Sequence, residues 1–263
     1  MASQEQLEIL KQGFKVWNLW REKNPGVKID FSAADLTEVN VGGANLRGAN
    51  LRRANLSSTL LFRGSYDKAD LSKAYLFNTD IYEVSLREVD LGEADLSEAQ
   101  LIDSDLYKVN LRKANLRHAY FIGSNLEEAH FNGAIMGGTI FSDIGLGRAH
   151  GLEEIHHNDP STIGADTIRL SNGNIPTAFL RGCGFSDLEI ETANLLKPGL
   201  DSEQVTDITY RIHRLYIGGG IEYYSCFISY SSRDEAFARI LHDDLQNNGV
   251  RCWFAPEDMK IGD

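Results

Sequence analysis

Cysteine, proline and long apolar runs are what this chain has least of. Three widely spaced cysteines in 263 residues supply neither a disulfide framework nor a paired-cysteine zinc site. No apolar run approaches the roughly 20 residues of a membrane span. Met1 to Leu10 lacks the apolar core of a signal peptide. The expectation is a cytoplasmic protein with reduced thiols and no membrane partner. Basic residues are the minority, 26 against 38 acidic, for a net charge of −12. The charge runs from +2 over residues 1–29 to −5 over 30–150 and −9 over 151–263. That disfavours nucleic acid, which is held through its phosphates. No phosphate-binding loop, zinc-protease motif or nucleophile elbow is present to signal an unrelated enzyme. His156 and His157 with Asp159 come nearest to a metal set. Adjacent histidines diverge on any regular element, so no metal is expected.

What the chain does have is one register. Stepping by five from Phe31 to Leu146 gives 24 consecutive large apolar residues. With 42% hydrophobic residues overall, chance would give this on the order of once in a billion. Two residues before each stands a small or β-branched side chain, as at Ala44, Ala49, Ala54 and Thr59. Asp, Asn or Ser usually sits between. A period of five fits neither a helix nor a flat strand, and a fixed short repeat indicates a solenoid. Few prolines and 24 glycines suit turn-rich stacked coils.

The units Ala-Asn-Leu-Arg-Gly, Ala-Asn-Leu-Arg-Arg, Ala-Asp-Leu-Ser-Lys and Ala-Asp-Leu-Ser-Glu resemble the pentapeptide-repeat family. The resemblance implies a mainly β chain, a right-handed quadrilateral β-helix with four units per coil, over residues 29–150. Central residues then stack twenty apart, as Leu56, Leu76, Leu96 and Leu116 do. Six coils would make a rod of roughly 29 Å at about 4.8 Å per coil. Near Ile135, Gly137-Gly138 and Ile140 the repeat loosens, and an apolar end is expected there.

Residues 1–28 read as a capping helix, Ser3 to Lys23, opened by a capping box at Ser3-Gln4-Glu5-Gln6 and striped by Leu7, Leu10, Phe14, Trp17 and Trp20. Such a helix would cover the open backbone of the first coil; binding a partner is the other reading. Residues 151–221 form a connector of α/β character, with helices expected at Ile175–Leu180 and Asp187–Leu196 and a hinge at Gly218-Gly219-Gly220.

On the outer surface, Glu83, Glu88, Glu93 and Glu98 mark an acidic belt. Arg47, Arg52, Arg53 and Arg63 precede it, read as unopposed by acids. A solvated surface is one reading. Mimicry of DNA, as in gyrase-protecting pentapeptide proteins, is another. Phe62, Tyr82, Ile102 and Ile122 stack as an apolar outward column, a contact surface for the chain's own C-terminal segment, a second copy or another protein.

Tyr223 to Tyr230 reads as a strand. Ser232-Arg233-Asp234-Glu235 is a second capping box, and Phe237, Ile240, Leu241 and Leu245 form a helical stripe. Val250 to Phe254 is the next strand, parallel to the first. Phe227-Ile228-Ser229-Tyr230-Ser231, Arg233-Asp234, Gly249 to Phe254, and Asp258 through Gly262-Asp263 resemble the start of a Toll/interleukin-receptor (TIR) domain. The resemblance implies an incomplete flavodoxin-like βαβ unit over residues 222–263. In that family Tyr230, Ser231, Ser232 and Arg233 would line a nucleotide pocket, and Trp253, Asp258, Gly262 and Asp263 would mediate TIR–TIR assembly. A complete domain would be a self-assembly module or an NAD hydrolase. The family's catalytic glutamate belongs to a later helix, and Glu257 lies in the wrong element to replace it. This chain is therefore expected to hold no cofactor and to lack that activity. The overall expectation is a bacterial signalling scaffold, with a pure interaction solenoid as the alternative.

Overall fold

The structure is a computed structural model that describes residues 2–216, 226–228, 235–247 and 252–254. The chain divides into two compact units, residues 1–209 and 210–263.

The first unit begins with two helices where the sequence suggested one, α1 (Gln4–Lys11) and α2 (Phe14–Lys23). The break is Gly13, whose φ of +99° suits glycine and turns the chain so that Leu10 and Trp17 both bury completely. The capping box is only half made. Ser3 Oγ accepts from the Gln6 amide, but the Gln6 side chain does not return the bond. It donates to the Lys28 carbonyl and accepts from the Asp30 amide instead. The open edge of the first coil claims it.

Beyond Ile29 the backbone winds into a parallel solenoid. Bridges join Asp30 to Asn50, Asn50 to Asp70, Asp70 to Asp90 and Asp90 to Asn110. A register of twenty holds four units per coil, hence four sides. On one side the pairing is continuous enough to form a sheet: β1 (Leu60–Phe62), β2 (Asp80–Tyr82), β3 (Gln100–Ile102), β4 (Tyr120–Ile122), then, past β5 (Ile135–Met136), β6 (Ile140–Ser142). All 24 central residues from Phe31 to Leu146 are at most 2% exposed. Asp or Asn side chains fold the corners by accepting from the amide two residues on, as Asp70 does from Ser72 and Asn110 from Arg112.

The ladder outlasts the repeat. After a 3-10 turn at Leu152–Glu154, β7 (His156–His157) pairs with β5, and β8 (Thr162–Ile163) pairs with β6 as the sixth strand of the sheet. The register slips from twenty to 21 and then 22 residues, Ile135 to His156 and Ile140 to Thr162. Helices α3 (Ala165–Leu170), α4 (Thr177–Gly182) and α5 (Asp187–Asn194) close this end. Phe179 meets Phe141 edge-on at 6.1 Å, and Thr167 and Ser171 hydroxyls accept the amides of Ile144 and Leu146. A further helix, α6 (Ser202–Tyr216), follows.

In the second unit β9 (Cys226–Ile228), α7 (Glu235–Asn247) and β10 (Cys252–Phe254) follow in order. The two strands are parallel, with Cys226 opposite Cys252 and Ile228 opposite Phe254, as the sequence led us to expect. The helix does not bury its anticipated stripe. Phe237 and Ile240 are each 68% exposed, whereas Ala238 and His242 are buried. One edge of the helix is all that two short strands can cover.

Candidate interaction face

Alternate residues of a strand point to opposite sides. In β1 to β4 and β6 the central residue fills the core, so its two neighbours face outward. One outward column is Phe62, Tyr82, Ile102, Ile122 and Ser142; the other is Leu60, Asp80, Gln100, Tyr120 and Ile140. Together they form a mostly apolar wall. Leu60 is 54% exposed, Tyr120 39% and Phe62 37%, far more than a core residue would be. The structure thus brings Phe62, Tyr82, Ile102 and Ile122 together as the spacing implied. It adds Leu60 and Tyr120, which sequence reasoning missed, and Ile140, which the sequence marked only as part of an apolar end. Their signal was available: each replaces the polar residue that normally precedes a central one, at spacings of sixty and twenty.

Polar groups within the wall are engaged. The Tyr82 hydroxyl donates to Gln100 Oε1 at 2.9 Å, and the Gln100 amide donates to Asp80 at 2.8 Å. Burial, then the Asp80 charge, raises the Tyr82 phenol above its ordinary pKa. At one corner the Arg63 guanidinium stands 4.6 Å over the Phe62 ring and binds Glu83 at 2.7 Å. That bond holds Arg63 more firmly protonated than usual.

The charged surface differs from the sequence reading. Arg63, Lys68 and Lys73 reach Glu83, Glu88 and Glu93 at 2.7, 3.6 and 3.3 Å. Arg47 and Arg52 likewise meet Asp67 and Asp70 at 3.5 and 3.4 Å. Three of the band's four arginines are therefore opposed, and three of the belt's four glutamates are paired. The reason is the register: residues twenty apart lie one coil apart, within reach of long side chains. Exposed pairs of this kind contribute about 0–1 kcal/mol each.

The ends are covered by helices, whose own exposed apolar residues include Leu19 and Leu170. At the first coil, Trp17 Nε1 donates to the Asn45 carbonyl at 2.9 Å. Asn18 bonds both the Gly43 carbonyl and the Asn45 amide, and Arg21 reaches the Arg47 carbonyl.

Tyr230, Ser231, Ser232, Arg233, Asp258, Gly262 and Asp263 lie outside the described residues, as does the Gly218–Gly220 hinge. The backbone of Trp253 is in β10, opposite Phe227. Among the described residues no group of three His, Cys, Asp or Glu could hold a metal ion. No described helix is long and apolar enough to cross a membrane.

A parallel four-sided solenoid with capped ends and one apolar outer wall defines a repeat protein that presents a side surface. Family comparison agrees with the register. Pentapeptide repeats match in eight copies over residues 29–63, 69–106 and 104–143, and a TIR domain matches residues 226–263. The chain belongs to the pentapeptide-repeat family, and its residues 226–263 match part of a TIR domain. Among curated proteins nothing matches. Similar solved structures include a pentapeptide repeat protein from the Arabidopsis thaliana thylakoid lumen. It is 32% identical, with 36% of this chain and 66% of that one covered and a TM-score of 0.28. The chain thus spans just under two thirds of that protein's length. A Nostoc pentapeptide repeat protein is 31% identical over 46% of this chain and 78% of its own, with a TM-score of 0.16. QnrB1, a plasmid-mediated fluoroquinolone resistance protein, is 18% identical over 60% of this chain and 86% of its own, with a TM-score of 0.30.

Proposed function

We propose that this protein is a signalling scaffold of the bacterial cytoplasm, in which the solenoid supplies a recognition wall and the TIR segment an assembly element. The observation that carries this reading is the wall itself. A rigid parallel sheet whose core-facing residues are fully buried still holds Leu60, Phe62 and Tyr120 at the surface. A contiguous exposed apolar patch on a folded protein usually marks a contact. Exposed Phe237 and Ile240 on α7 give the second unit its own adhesive stripe. The ion-paired belt supports protein contact over DNA mimicry, because a duplex mimic needs free acid along the rod. By the TIR resemblance, a nucleotide such as NAD would sit at Tyr230 to Arg233 only in a complete domain.

The test is sedimentation of the purified full chain over a dilution series, alone and with Ile102→Asp or Phe237→Glu. We expect the parent mass to rise with concentration, and each substitution to remove part of the rise. A parent chain of monomer mass at every concentration would defeat the self-assembling scaffold.

A further inference from the structure

The two outward columns of the wall are chemically self-complementary when one is reversed. We infer that the occupant of this wall is a second copy of the chain, laid face to face with its rod axis reversed about a twofold axis along β3. This rests on the scaffold reading and adds its partner and geometry.

Such an axis lies in the interface and leaves strand direction unchanged while inverting strand order. Each column then meets its own reversed copy. The first reads Leu60, Asp80, Gln100, Tyr120, Ile140. Inverted about Gln100, Leu60 meets Ile140, apolar on apolar. The Tyr120 hydroxyl meets the Asp80 carboxylate, a donor facing an acceptor. Gln100 meets Gln100, and an amide can both give and take a bond with its copy. In the second column Ile102 meets Ile102 and Tyr82 meets Ile122. Parallel strands in register make this reversal possible across five strands at once, and an isologous contact requires such self-complementarity.

Charge at the two ends fits the same operation. Arg63 follows β1, and Asp143 follows β6. Reversal places each against the other's copy, so both outer ends of the interface pair a cation with an anion. The Arg63 Nε–Glu83 bond leaves the rest of its guanidinium fork as further donors. Two rim acids, Glu98 and Asp103, face their own copies, but at the solvated edge, where salt screens them. An axis midway between β2 and β3 would bring only four strands into register and would leave Asp143 without its cation. The wall spans four strand spacings, ~19 Å. That is a narrow contact beside the roughly 800 Å² per partner of a stable complex. The pairing is accordingly weak and reversible, suited to a contact that forms when copies are concentrated.

Cysteine placement tests the geometry in the full chain. Ile102 lies on the axis, so Ile102→Cys meets its own copy. Facing sheets stand about 10 Å apart, beyond the roughly 7 Å that a disulfide spans between Cα atoms, so the linker is a short bis-maleimide. Phe62 lies two strands away, ~19 Å along the rod from its copy. With that crosslinker, and the parent chain as control for its native cysteines, Ile102→Cys should form covalent dimer several-fold faster than Phe62→Cys. Mixing Phe62→Cys with a tagged Ser142→Cys chain should yield the mixed dimer. Phe62→Cys linking to itself as fast as Ile102→Cys would overturn the reversed arrangement. So would failure of the Phe62–Ser142 pair. If the parent sediments as an oligomer yet Ile102→Cys gives no dimer above the parent control, the scaffold stands and this partner is wrong. If the parent is monomeric throughout, the scaffold reading itself has failed.

Discussion

At the scale of single residues, Tyr66 is the exception in the central column. It occupies a position that Leu or Phe fills in neighbouring units, and it is fully buried. Its hydroxyl finds no hydrogen-bond partner among the described residues, and burial raises its pKa. Gly64 makes room for the ring: a Cβ there would stand 2.8 Å from Tyr66 Cε2 and 3.2 Å from the Ala44 carbonyl. Tyr66→Phe keeps the ring and removes an unpaired polar group, so it should stabilise by about 1 kcal/mol. Gly64→Ala should destabilise by about 1–3 kcal/mol through overpacking, and much less on a Tyr66→Leu background, where the ring is gone. Urea midpoints of the parent, Tyr66→Phe, Gly64→Ala, Tyr66→Leu and the Gly64→Ala/Tyr66→Leu double variant decide it, and additive effects would show that the two residues are not coupled. A second residue-scale strain runs along the corners. Lys113, at φ +57°, stands for a series in which Arg, Lys, Glu and Asp take the left-handed conformation two residues after a central one. Lys113→Val should cost about 1–3 kcal/mol, because a β-branched residue is least tolerant there. Lys113→Gly should stay within about 0.5 kcal/mol, the relief of strain offset by backbone entropy. Equal losses in the two variants would refute the strain. The core was legible in the sequence because each buried side chain recurs at five. The left-handed corners were not, because most carry charged or polar residues and only some, such as Gly43 and Gly48, carry glycine.

At the scale of elements, the closure of the solenoid depends on how β7 meets α4. The His157 ring tilts against Phe179 at 5.5 Å, and a Cβ on Gly182 would collide with it. Both ring nitrogens are shielded from solvent and lack a partner among the described residues. Its strand neighbour is Met136, and the charged member of α4, Arg181, is held by Asp187 at 2.8 Å. Burial is what lowers the His157 pKa. The unfolded chain therefore binds this proton more readily than the folded one. Stability should be unaffected above the unfolded pKa of about 6.5. It should fall as pH drops below that, until the lowered folded pKa is passed. His130, lowered by burial and then by Arg112, adds a loss of the same sign. We expect urea stability to decline from neutral pH into the mildly acid range, and the decline to be shallower in His157→Leu. An unchanged slope in that variant would place the titration elsewhere. The elements themselves were unevenly legible. α5 begins where Ser186 and Glu189 make a capping box, and the expected helix at Asp187 starts there too. β7 and β8 are two residues each, too short for any alternation to show. Gly13 was in view, but what turns it into a break is the tertiary demand that Leu10 and Trp17 bury together.

At the scale of the molecule, the solenoid is a stack in which each coil rests on the next, so stability accumulates through neighbour contacts. Charge pairing follows the same axis, as in Lys68–Glu88 and Lys73–Glu93. The belt was misread because such partners sit twenty residues apart, where a linear scan sees acid in one place and base in another. The amides of Phe31, Ala33 and Leu36 bond forward to the carbonyls of Asn50, Arg52 and Asn55, while α1 and α2 cover the outer side of this coil. Trp17 is the centre of that cover: fully buried, stacked on Trp20 at 5.2 Å, tilted over Phe31 at 5.5 Å, and bonded to the Asn45 carbonyl. Trp17→Ala should cost about 3–5 kcal/mol, as large aromatic truncations do, and it strips a buried carbonyl of its donor. In a stack the loss should be felt unevenly. Hydrogen exchange in Trp17→Ala should quicken most at Phe31, Ala33 and Leu36, less at Leu71 and Leu91, and least at Leu116 and Phe131. Those last amides lie near the end that α3 to α5 close. The opposite substitution, Phe179→Ala, should reverse the gradient. Uniform quickening along all coils in both variants would mean that the rod opens all at once, and the picture of stacked, separately yielding coils would have to be abandoned.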